Sequence, residues 1–454
     1  MGGVVDQKEI STMRIGFLSL PLSGHLNPMT ALARKLQSRG HVVLFLGVPD
    51  VEPIARAANL TFVPFCEEQY PVGSMAKLYG PVAKLRGDDV LRVHVGEITP
   101  SFLKTVLENL PQRLPELAVD GMVIDAAHRF VQLVPMNLGI PFVQIWNPLH
   151  IDSSGTSPAC IFSWPFETTP ESRARNIEGL RTLGGYSAPT MAVAKSYAEE
   201  AGLQIDWSDP NAIASKLAVI TQTPREFDFP GIPWPAQFHY AGPFHDDQGR
   251  EPVAFPWEKL NDKPLIYASL GTLVNGMEQL YKTILAAVRR LPDVQVVLSV
   301  GKNVNPEDLG PVPPNTILVR IAPQIELLKR TVLCITHAGL NTTLESLGQG
   351  VPMVAIPIAY DQPGVAARIA YHGVGEFMEI DELTEERLAE LVLKVMKNPD
   401  YRHKALYFES VIARTRGLDV AADEIEQAFR HNWHSGSNGT ENRVSDGGMT
   451  LSEP

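Results

Sequence analysis

The stretch RIGFLSLPLSGHLNPMTALARKLQSRGHVVLFLG, residues 14–47, decides the fold class. It opens with a continuous apolar run at 14–20, which is typical of a buried parallel strand. A turn rich in Gly, Pro, Ser and Asn follows. Then comes a helix whose apolar side chains recur at i, i+3, i+4 and i+7, and which ends near Gly40. A second apolar run at 42–47 completes the unit. This order predicts a doubly wound α/β sheet, whose ligands bind at the carboxyl ends of the strands.

The same alternation continues along the chain and predicts a second sheet. Apolar strands recur at 121–125 and 141–146 in the first half. Residues 150–215 are interpreted as irregular, either an insertion over a cleft or simply a packed loop. After the Pro-, Gly- and Asp-containing stretch 242–263, the pattern restarts. The predicted elements there are strands at 264–270, 294–300, 316–321, 332–336 and 352–358, a helix at 277–291, and helices from 384 to about 432.

With 454 residues the chain is long enough for two domains. The predicted organisation is an N-terminal Rossmann-like domain at 1–241, an interdomain linker at 242–263 and a C-terminal Rossmann-like domain at 264–400. Helices at 401–432 are predicted to return to the N-terminal domain. The polar, Gly/Ser-rich tail at 433–454 is predicted to be disordered.

The composition indicates a globular protein that does not bind nucleic acid. Hydrophobic residues make up 44% and charged residues 20% of the chain. The formal net charge of −12 disfavours a broad phosphate-binding surface but allows a local cationic pocket. The three cysteines lack metal-type spacing, the first ten residues lack a signal pattern, and the longest apolar runs are too short to span a bilayer. We expect a cytoplasmic protein without an integral membrane segment; the oligomeric state cannot be read from the sequence.

A histidine and an aspartate stand at the ends of two predicted strands. His25 follows the first strand and lies just ahead of a helix, where an imidazole can accept a proton from a hydroxyl. Asp125 closes the strand 121–125, and its carboxylate could orient that imidazole. Each has a plain structural alternative, a local cap or hydrogen bond. The functional interpretation requires the fold to bring the two residues together, which a doubly wound sheet can do.

The segment THAGLNTTLESLGQGVPMVAIPIAYDQPG, residues 336–364, carries the strongest signal for a ligand. His337 and Gly339 end a strand and Asn341 and Thr342 begin a helix, so backbone amides, hydroxyls and the helix dipole converge where a diphosphate would fit. Thr342 to Glu345 also matches a capping box, so ordinary helix capping is the alternative. Glu345 could equally hold ribose hydroxyls.

Two further turns could contribute polar groups to the same sheet edge. Ser269 to Thr272 follows a strand, and its hydroxyls and amides could donate to phosphate. Asp361 and Gln362 follow the strand at 352–358 and could bind sugar hydroxyls, with a helix cap as the alternative. The sequence contains no phosphate-loop motif, no nucleophile elbow, no Cys/His metal cluster and no D-x-D triplet. We therefore expect protein dipoles and His337, not a metal, to stabilise leaving-group charge.

These residues resemble the family 1 glycosyltransferases, in particular bacterial glucosyltransferases of the zeaxanthin and macrolide type. The resemblance covers nearly the whole chain and includes GHLNPM near the start and the turn at 269–272. The donor box of the family, W-x-P-Q…H-x-G-x-N-[ST]…E…G-[VT]-P-M…D-Q, is matched here by Ile321-Ala322-Pro323-Gln324, His337-Ala338-Gly339-Leu340-Asn341-Thr342, Glu345, Gly350-Val351-Pro352-Met353 and Asp361-Gln362.

The resemblance implies the GT-B fold, two facing Rossmann-like domains, with the acceptor in the N-terminal and the nucleotide sugar in the C-terminal domain. It implies that His25 is the general base and Asp125 its partner. The implied donor contacts are Thr272, His337, Asn341 and Thr342 for the diphosphate, Glu345 for the ribose, Asp361 and Gln362 for the hexose, Asn147 near its 6-hydroxyl, and Gln324 with the backbone of Ala322 for the uracil. Gly24, Ser269 and Gly339 lie in the same matched turns and are assigned to the donor site with them.

The expected activity is inverting transfer of a hexose, glucose by preference, from a UDP-sugar co-substrate to a hydroxyl of a small lipophilic acceptor, with no cofactor. Ile321 replaces the aromatic residue that stacks on uracil in plant relatives, which loses on the order of 1 kcal/mol of ring interaction. Apolar residues of 65–100, including Tyr70, Met75, Leu78 and Tyr79, and the insertion at 150–215 are expected to shape the acceptor side, for a carotenoid, terpenoid, polyketide or flavonoid. The alternatives are a nucleotide-sugar epimerase and a non-catalytic nucleotide-sugar-binding protein.

Overall fold

The computed structural model describes residues 12–246 and 252–437, with side chains as far as 430. Within these residues the chain forms two parallel sheets, one from each half. The predicted tail at 433–454 lies outside the described residues from 438 onward. In the described part of the chain, no helix is long and apolar enough to cross a membrane.

The first sheet has the strand order β3-β2-β1-β4-β5-β6-β7. Its strands are β1 (Arg14–Leu18), β2 (Val42–Gly47), β3 (Thr61–Pro64), β4 (Gly121–Asp125), β5 (Phe142–Trp146), β6 (Val219–Thr221) and β7 (Phe238–Tyr240). Its central strands are buried along almost their whole length because helices cover both faces, which explains why they read as continuous apolar runs. The first strand, the second strand and the strand ending at Asp125 are confirmed.

The helices of the first half pack on this sheet or over its edge. They are α1 (Ser23–Ser38), α2 (Glu52–Ala57), α3 (Ser74–Tyr79), α4 (Gly87–Val90), α5 (Thr99–Leu117), α6 (Leu133–Leu138) and α7 (Pro170–Glu200), with a π-helical segment at Leu91–Ile98. Helix α1 ends beside Gly40, whose φ of +94° is the left-handed conformation that glycine adopts at a helix end.

The second sheet has the order β10-β9-β8-β11-β12-β13. Its elements are β8 (Leu265–Ser269), α8 (Glu278–Arg289), β9 (Gln295–Ser299), β10 (Thr316–Val319), α9 (Gln324–Leu328), β11 (Thr331–Thr336), α10 (Leu340–Leu347), β12 (Met353–Ala355), α11 (Gln362–His372), β13 (Gly375–Phe377), α12 (Glu385–Lys397), α13 (Pro399–Arg414) and α14 (Gly417–Ser437). Alternate residues of β8 face opposite layers: Ile266 and Ala268 pack in one core cluster, Leu265 and Tyr267 in the other.

The last helix, α14, packs against α1 of the first half. Phe429 lies over Gly121, where a Cβ atom would come within 2.6 Å of the ring, so only glycine fits. Arg39, at the end of α1, forms ion pairs with Asp419 at 2.8 Å and Asp423 at 2.6 Å. The C-terminal segment therefore crosses back and closes the first core.

The expectation that 150–215 is irregular is wrong. Helix α7 occupies 31 residues of that segment, Pro170–Glu200, and packs on α5 and on the π-helical segment. Its N-cap, Thr169, accepts a hydrogen bond from Ser172 N. The buried face of the helix is made of small and polar residues at helical spacing: Asn176, Gly179, Ser187, Thr190, Ala194 and Ala198. Because this face is not apolar, the sequence has no hydrophobic period.

Candidate active site

A cavity of about 1160 Å³ lies in the cleft where the carboxyl ends of the two sheets face each other. It is larger than the roughly 300–1,000 Å³ of ordinary small-molecule pockets, so it has room for two substrates. All of the predicted site residues except Asp125 line it: Gly24, His25, Asn147, Ser269, Thr272, Ala322, Gln324, His337, Gly339, Asn341, Thr342, Glu345, Asp361 and Gln362. The fold therefore brings together side chains from both halves of the chain.

His25 and Asp125 meet although 100 positions separate them. The Nδ1 atom of His25 lies 2.8 Å from Oδ2 of Asp125. His25 does not stand in a turn ahead of the helix, as the sequence suggested, but in the first turn of α1, which begins at Ser23. Asp125 is fully buried behind it at the end of β4. The imidazole therefore faces the cavity while the carboxylate holds it from the protein side.

The surroundings of Asp125 favour its charged form. Burial works against the carboxylate, but the neighbouring His25 and backbone N–H groups of Ala127 and Leu20 outweigh it and lower the pKa of Asp125. Burial likewise lowers the pKa of His25, but attraction to and hydrogen bonding with Asp125 outweigh it, and the net pKa is raised. With Nδ1–H donating to Asp125, the unprotonated Nε2 of the neutral imidazole is left to accept a proton.

Two glycines pack against His337, Gly271 from the loop after β8 and Gly339 from the loop between β11 and α10. A Cβ on Gly271, which has a φ of +80°, would lie 2.5 Å from the imidazole, and one on Gly339 would also collide with it. Both positions therefore require glycine. Burial lowers the pKa of His337 to about 4, although the backbone of Ser269 opposes the shift. The imidazole is neutral at physiological pH.

The capping-box interpretation of Thr342 and Glu345 is wrong. Helix α10 begins at Leu340 because Gly339 is extended, with φ −62° and ψ 132°, and no side chain caps it. Both Thr342 and Glu345 lie within the helix, where they accept hydrogen bonds from Gln324 Nε2 at 3.2 and 2.5 Å. The uncapped first turn presents its backbone N–H groups and the positive end of the dipole to the cavity, which suits an anion.

Gln324, which is assigned to the base, contacts Glu345, which is assigned to the ribose. Besides its bonds to Thr342 and Glu345, it accepts a hydrogen bond from the Tyr267 hydroxyl at 3.0 Å. Ile321 lines the same end of the cavity and is 50% exposed. An exposed aliphatic side chain beside a fixed amide forms a flat wall with polar groups at its edge, as a nucleotide base requires.

Asp361, Gln362 and Asn147 lie together where the two halves approach. Asp361 Oδ2 accepts the backbone N–H of Leu149 at 2.8 Å, and burial raises its pKa. Gln362 accepts the backbone N–H groups of Ile358 and Ala359 through Oε1. Both side-chain atoms of Asn147 are buried and have no hydrogen-bond partner among the described residues. A buried amide of this kind calls for a partner, and a polyhydroxylated ligand would supply one.

Hydrogen bonds also cross the cleft directly. The carbonyl of Gly24 cannot receive the usual helical N–H because the residue four positions later is Pro28. Asn341 Nδ2 donates to that carbonyl instead, at 2.7 Å. The hydroxyls of Ser23 and Thr272 lie 2.8 Å apart. The turn that carries His25 is thus fixed directly against the α10 end of the second sheet.

Sequence reasoning missed several residues that shape the cavity. Gln222 donates to Asn341 Oδ1 at 2.8 Å and follows β6, whose three residues are too short a signal. His94, His128 and Arg129 line the first-half side. The segment 65–100 does line this side, through Tyr79, Leu91 and Val95, but the other three residues named for it pack against the first core, since apolar content alone does not separate core from cleft. The expected contributors were Tyr70, Met75, Leu78 and Tyr79.

Comparison with known proteins gives the family. The model of the family "UDP-glucoronosyl and UDP-glucosyl transferase" matches residues 194–436, more than half of the chain. The chain is 28% identical to the zeaxanthin glucosyltransferase of Pantoea ananas, over 90% of this chain and 94% of that protein. It is 27% identical to the NDP-glycosyltransferase YjiC of Bacillus subtilis (strain 168), over 91% and 96%.

Solved structures agree on the fold. The kitacinnamycin glycotransferase superposes with a TM-score of 0.71 at 23% identity, over 92% of this chain and 99% of that one. The calicheamicin glycosyltransferase CalG4 superposes with a TM-score of 0.68 at 20% identity, over 93% and 99%. The GT-B fold expected from the sequence is confirmed. Together with the family match, these relatives place the chain in the UDP-glucoronosyl and UDP-glucosyl transferase family, as a glycosyltransferase of the bacterial type.

Proposed function

We propose that this enzyme transfers glucose from UDP-glucose to a hydroxyl of a small lipophilic acceptor, with inversion at the anomeric carbon and without a metal ion. The observation that carries the proposal is the 2.8 Å contact between His25 and Asp125, which aims the imidazole into the same cavity that the uncapped end of α10 lines. Relatives named for carotenoid and macrolide chemistry, zeaxanthin glucosyltransferase and oleandomycin glycosyltransferase, support a lipophilic acceptor.

The proposed step is a single in-line displacement. The acceptor oxygen attacks the anomeric carbon as its proton passes to Nε2 of His25, and the bond from that carbon to the UDP oxygen breaks. An α-linked donor then yields a β-glycoside. Asp125 stabilises the imidazolium that forms. General-base assistance of this kind contributes about 10²–10⁴-fold, and positioning in the closed cleft adds to it.

The departing diphosphate gains negative charge, and we assign its stabilisation to the second half of the chain. The first-turn N–H groups of α10, the hydroxyls of Thr272 and Thr342 and the neutral His337 supply dipoles and donors at one point. Asp361, Gln362 and Asn147 would hold the hexose hydroxyls, and Glu345 with Gln324 the ribose and base. A protein of the same fold, the spinosyn rhamnosyltransferase SpnG, has been solved with thymidine diphosphate, so the base is to be tested against thymidine.

The test is a panel of hydroxylated acceptors with UDP- and TDP-sugars, read by mass spectrometry, in the wild type and His25→Ala. We expect a glycoside only when acceptor is present, unchanged turnover with a chelator, and a loss of about 10²–10⁴-fold in His25→Ala with donor binding retained. Conversion of the nucleotide sugar without acceptor would indicate an epimerase. Turnover of His25→Ala near the wild-type rate would exclude the base assignment.

A further inference from the structure

The first-half side of the cavity contains an arginine that the proposed reaction does not use. Arg129 lies four positions after Asp125, beyond the end of β4, and lines the cavity with its neighbour His128. Its guanidinium carries five N–H donors. Its hydrogen bond to the protein goes to Ser187 Oγ at a distance of 3.4 Å, and it lies 5.3 Å from the centroid of the Phe130 ring. These contacts leave most of its donors without an acceptor.

Two shielded arginines of the described chain, Arg368 and Arg34, are matched by carboxylates, and Arg129 is not. Arg368 forms two hydrogen bonds with Asp228, at 2.7 and 3.1 Å, and Arg34 lies 2.6 Å from Asp246. No ion pair joins Arg129 to any of the described residues. Arg129 is half-buried, and a cation that is partly shielded from water without a partner carries a desolvation cost that a ligand of opposite charge would offset.

The acidic groups that line the cavity are already engaged elsewhere. Asp50 accepts the backbone N–H groups of Gly73 and Met75, and Asp246 pairs with Arg34. Glu345 accepts from Gln324, Asp361 accepts from Leu149 N, and Glu326 lies 3.0 Å from Lys329. None of these carboxylates forms an ion pair with Arg129.

The neighbours of Arg129 are neutral, so its charge is not cancelled locally. Burial raises the pKa of the Cys160 thiol to about 12 and lowers the pKa values of His128 and His94 to about 4. Burial also lowers the pKa of Arg129 itself, and no carboxylate counteracts the shift. A guanidinium stays protonated nonetheless. This side of the cavity holds one uncompensated positive charge.

Much of the rest of this side is apolar, alongside the hydroxyls of Thr99 and Thr190. Leu91, Val95, Phe102, Leu103 and Leu183 line it. A ligand that fills it needs a hydrophobic body and one negative group within reach of Arg129. The planar fork of arginine pairs best with a carboxylate, which accepts two parallel N–H bonds.

We propose that Arg129 binds a carboxylate of the acceptor, so that the acceptor is a lipophilic hydroxy acid. This inference rests on the proposed function. The carboxylate belongs to the acceptor because Arg129, Phe130 and Ser187 all lie in the first half of the chain, whereas the residues assigned to the diphosphate lie in the loops after β8 and β11 and in α10 of the second. The hydroxyl of the same molecule would then be directed to His25.

The experiment compares ω-hydroxy fatty acids of graded chain length with their methyl esters, using UDP-glucose as donor. We expect the wild type to have a KM at least about tenfold lower for an acid than for its ester. Arg129→Met should abolish that preference by raising KM for the acid and leaving the ester unchanged. Arg129→Lys, which keeps the charge but not the fork, should retain part of it. Arg181→Met, with a side chain 72% exposed on α7, removes the same charge and should change neither substrate.

Each alternative outcome has a distinct meaning. Equal KM values for acid and ester in the wild type, or equal loss of both in Arg129→Met, would overturn the inference while leaving the proposed function intact. Calorimetric titration of the acid without donor distinguishes failure of the inference from failure of the proposed function. If the acid binds in an Arg129-dependent way but no sugar is transferred, only the proposed function is contradicted. If neither acid nor ester binds, the inference fails. If UDP-glucuronic acid is used with an ester acceptor in an Arg129-dependent way, the carboxylate belongs to the sugar. That result would also refute the inference.

Discussion

The hydrogen bond between His25 and Asp125 determines the pH range in which the proposed base works. Because Asp125 raises the pKa of His25, the imidazole keeps its proton to a higher pH than an ordinary histidine, whose pKa is about 6.5. Only the neutral form accepts a proton. We therefore expect kcat/KM to rise with pH through a midpoint above 6.5 and to fall on the acid side of it.

Replacement of Asp125 should move that midpoint in the opposite direction. In Asp125→Asn the attraction is gone but the burial of His25 remains, and burial lowers its pKa. The midpoint should therefore fall below about 6.5 while the maximum rate also drops. Glu116→Gln, an exposed carboxylate on α5, is the control and should leave the profile unchanged. A midpoint that stays in place in Asp125→Asn would show that Asp125 does not set the protonation of the base.

Residue types could be predicted from the sequence, but the partners of each residue could not. The strand-end positions of His25 and Asp125 and the polar residues of 336–364 follow from short patterns. The bond from Asn341 to the Gly24 carbonyl depends on Pro28 lacking an N–H and on the two halves facing each other. The engagement of Gln324 with Glu345 likewise joins elements that the sequence places 21 positions apart. Such contacts form only when distant parts of the chain have folded against each other, so local sequence patterns do not predict them.

Helix α7 illustrates how an element escapes sequence reasoning. Its buried face consists of small residues, so packing is close but the apolar period is missing. Gly179 lies under the stacked rings of Phe162 and Trp164, whose centroids are 3.9 Å apart. A Cβ at Gly179 would be 3.0 Å from both rings. Glycine has a low helix propensity. It fits at this point because the two rings occupy the space that a side chain would need.

The three glycines of α7 should therefore respond differently to substitution. Gly185→Ala, where a Cβ would meet nothing within 4 Å, should stabilise the protein by about 0.5–1 kcal/mol, because alanine favours the helix. Gly184→Ala is a matched repeat at an equally open position. Gly179→Leu should destabilise by about 1–3 kcal/mol, because the rings must move. Chemical denaturation measures all three, and a stabilising Gly179→Leu would contradict the packing described for this face.

At the scale of the whole molecule, a segment of the first half packs into the second half, so the linker is not the only contact between them. Val82 and Val90, which precede the first-half helix α5, pack in a core cluster of the second half. The backbone N–H of Gly87 donates to the Ile358 carbonyl at 2.8 Å. The sequence could not reveal this crossing, because apolar residues at 80–93 look the same whichever core they enter. Leu91 of this segment lines the cavity, while Val82 and Val90 pack into the second half.

A buried cluster of charges forms a second link between the halves. Asp228 accepts two hydrogen bonds from Arg368 of α11, one from His150 Nε2 at 2.8 Å and one from the Tyr240 hydroxyl. Both members of the Asp228–Arg368 pair are almost completely buried, with side-chain exposures of 1% and 2%. Arg368 also donates to the Gly364 carbonyl within α11, which begins at Gln362. The cluster thus fixes α11, whose first residue Gln362 is proposed to bind the hexose, to the first half.

We expect Asp228→Asn to destabilise the protein by about 3–5 kcal/mol at neutral pH, because it leaves the Arg368 guanidinium buried without its counterion. Burial works against the carboxylate, but His150 and Arg368 outweigh it and hold the pKa of Asp228 far below its usual range. A lowered pKa stabilises the fold above the unfolded-state pKa of about 3.9, and that contribution is lost as the pH falls from there toward the folded-state value. The difference between wild type and variant should therefore be constant near neutrality and shrink in acid. Glu178→Gln, in the exposed pair with Arg181, should change stability little at any pH. Urea unfolding between neutral and acid pH measures the difference, and a destabilisation that does not diminish in acid would show that Asp228 acts through packing and not through its charge.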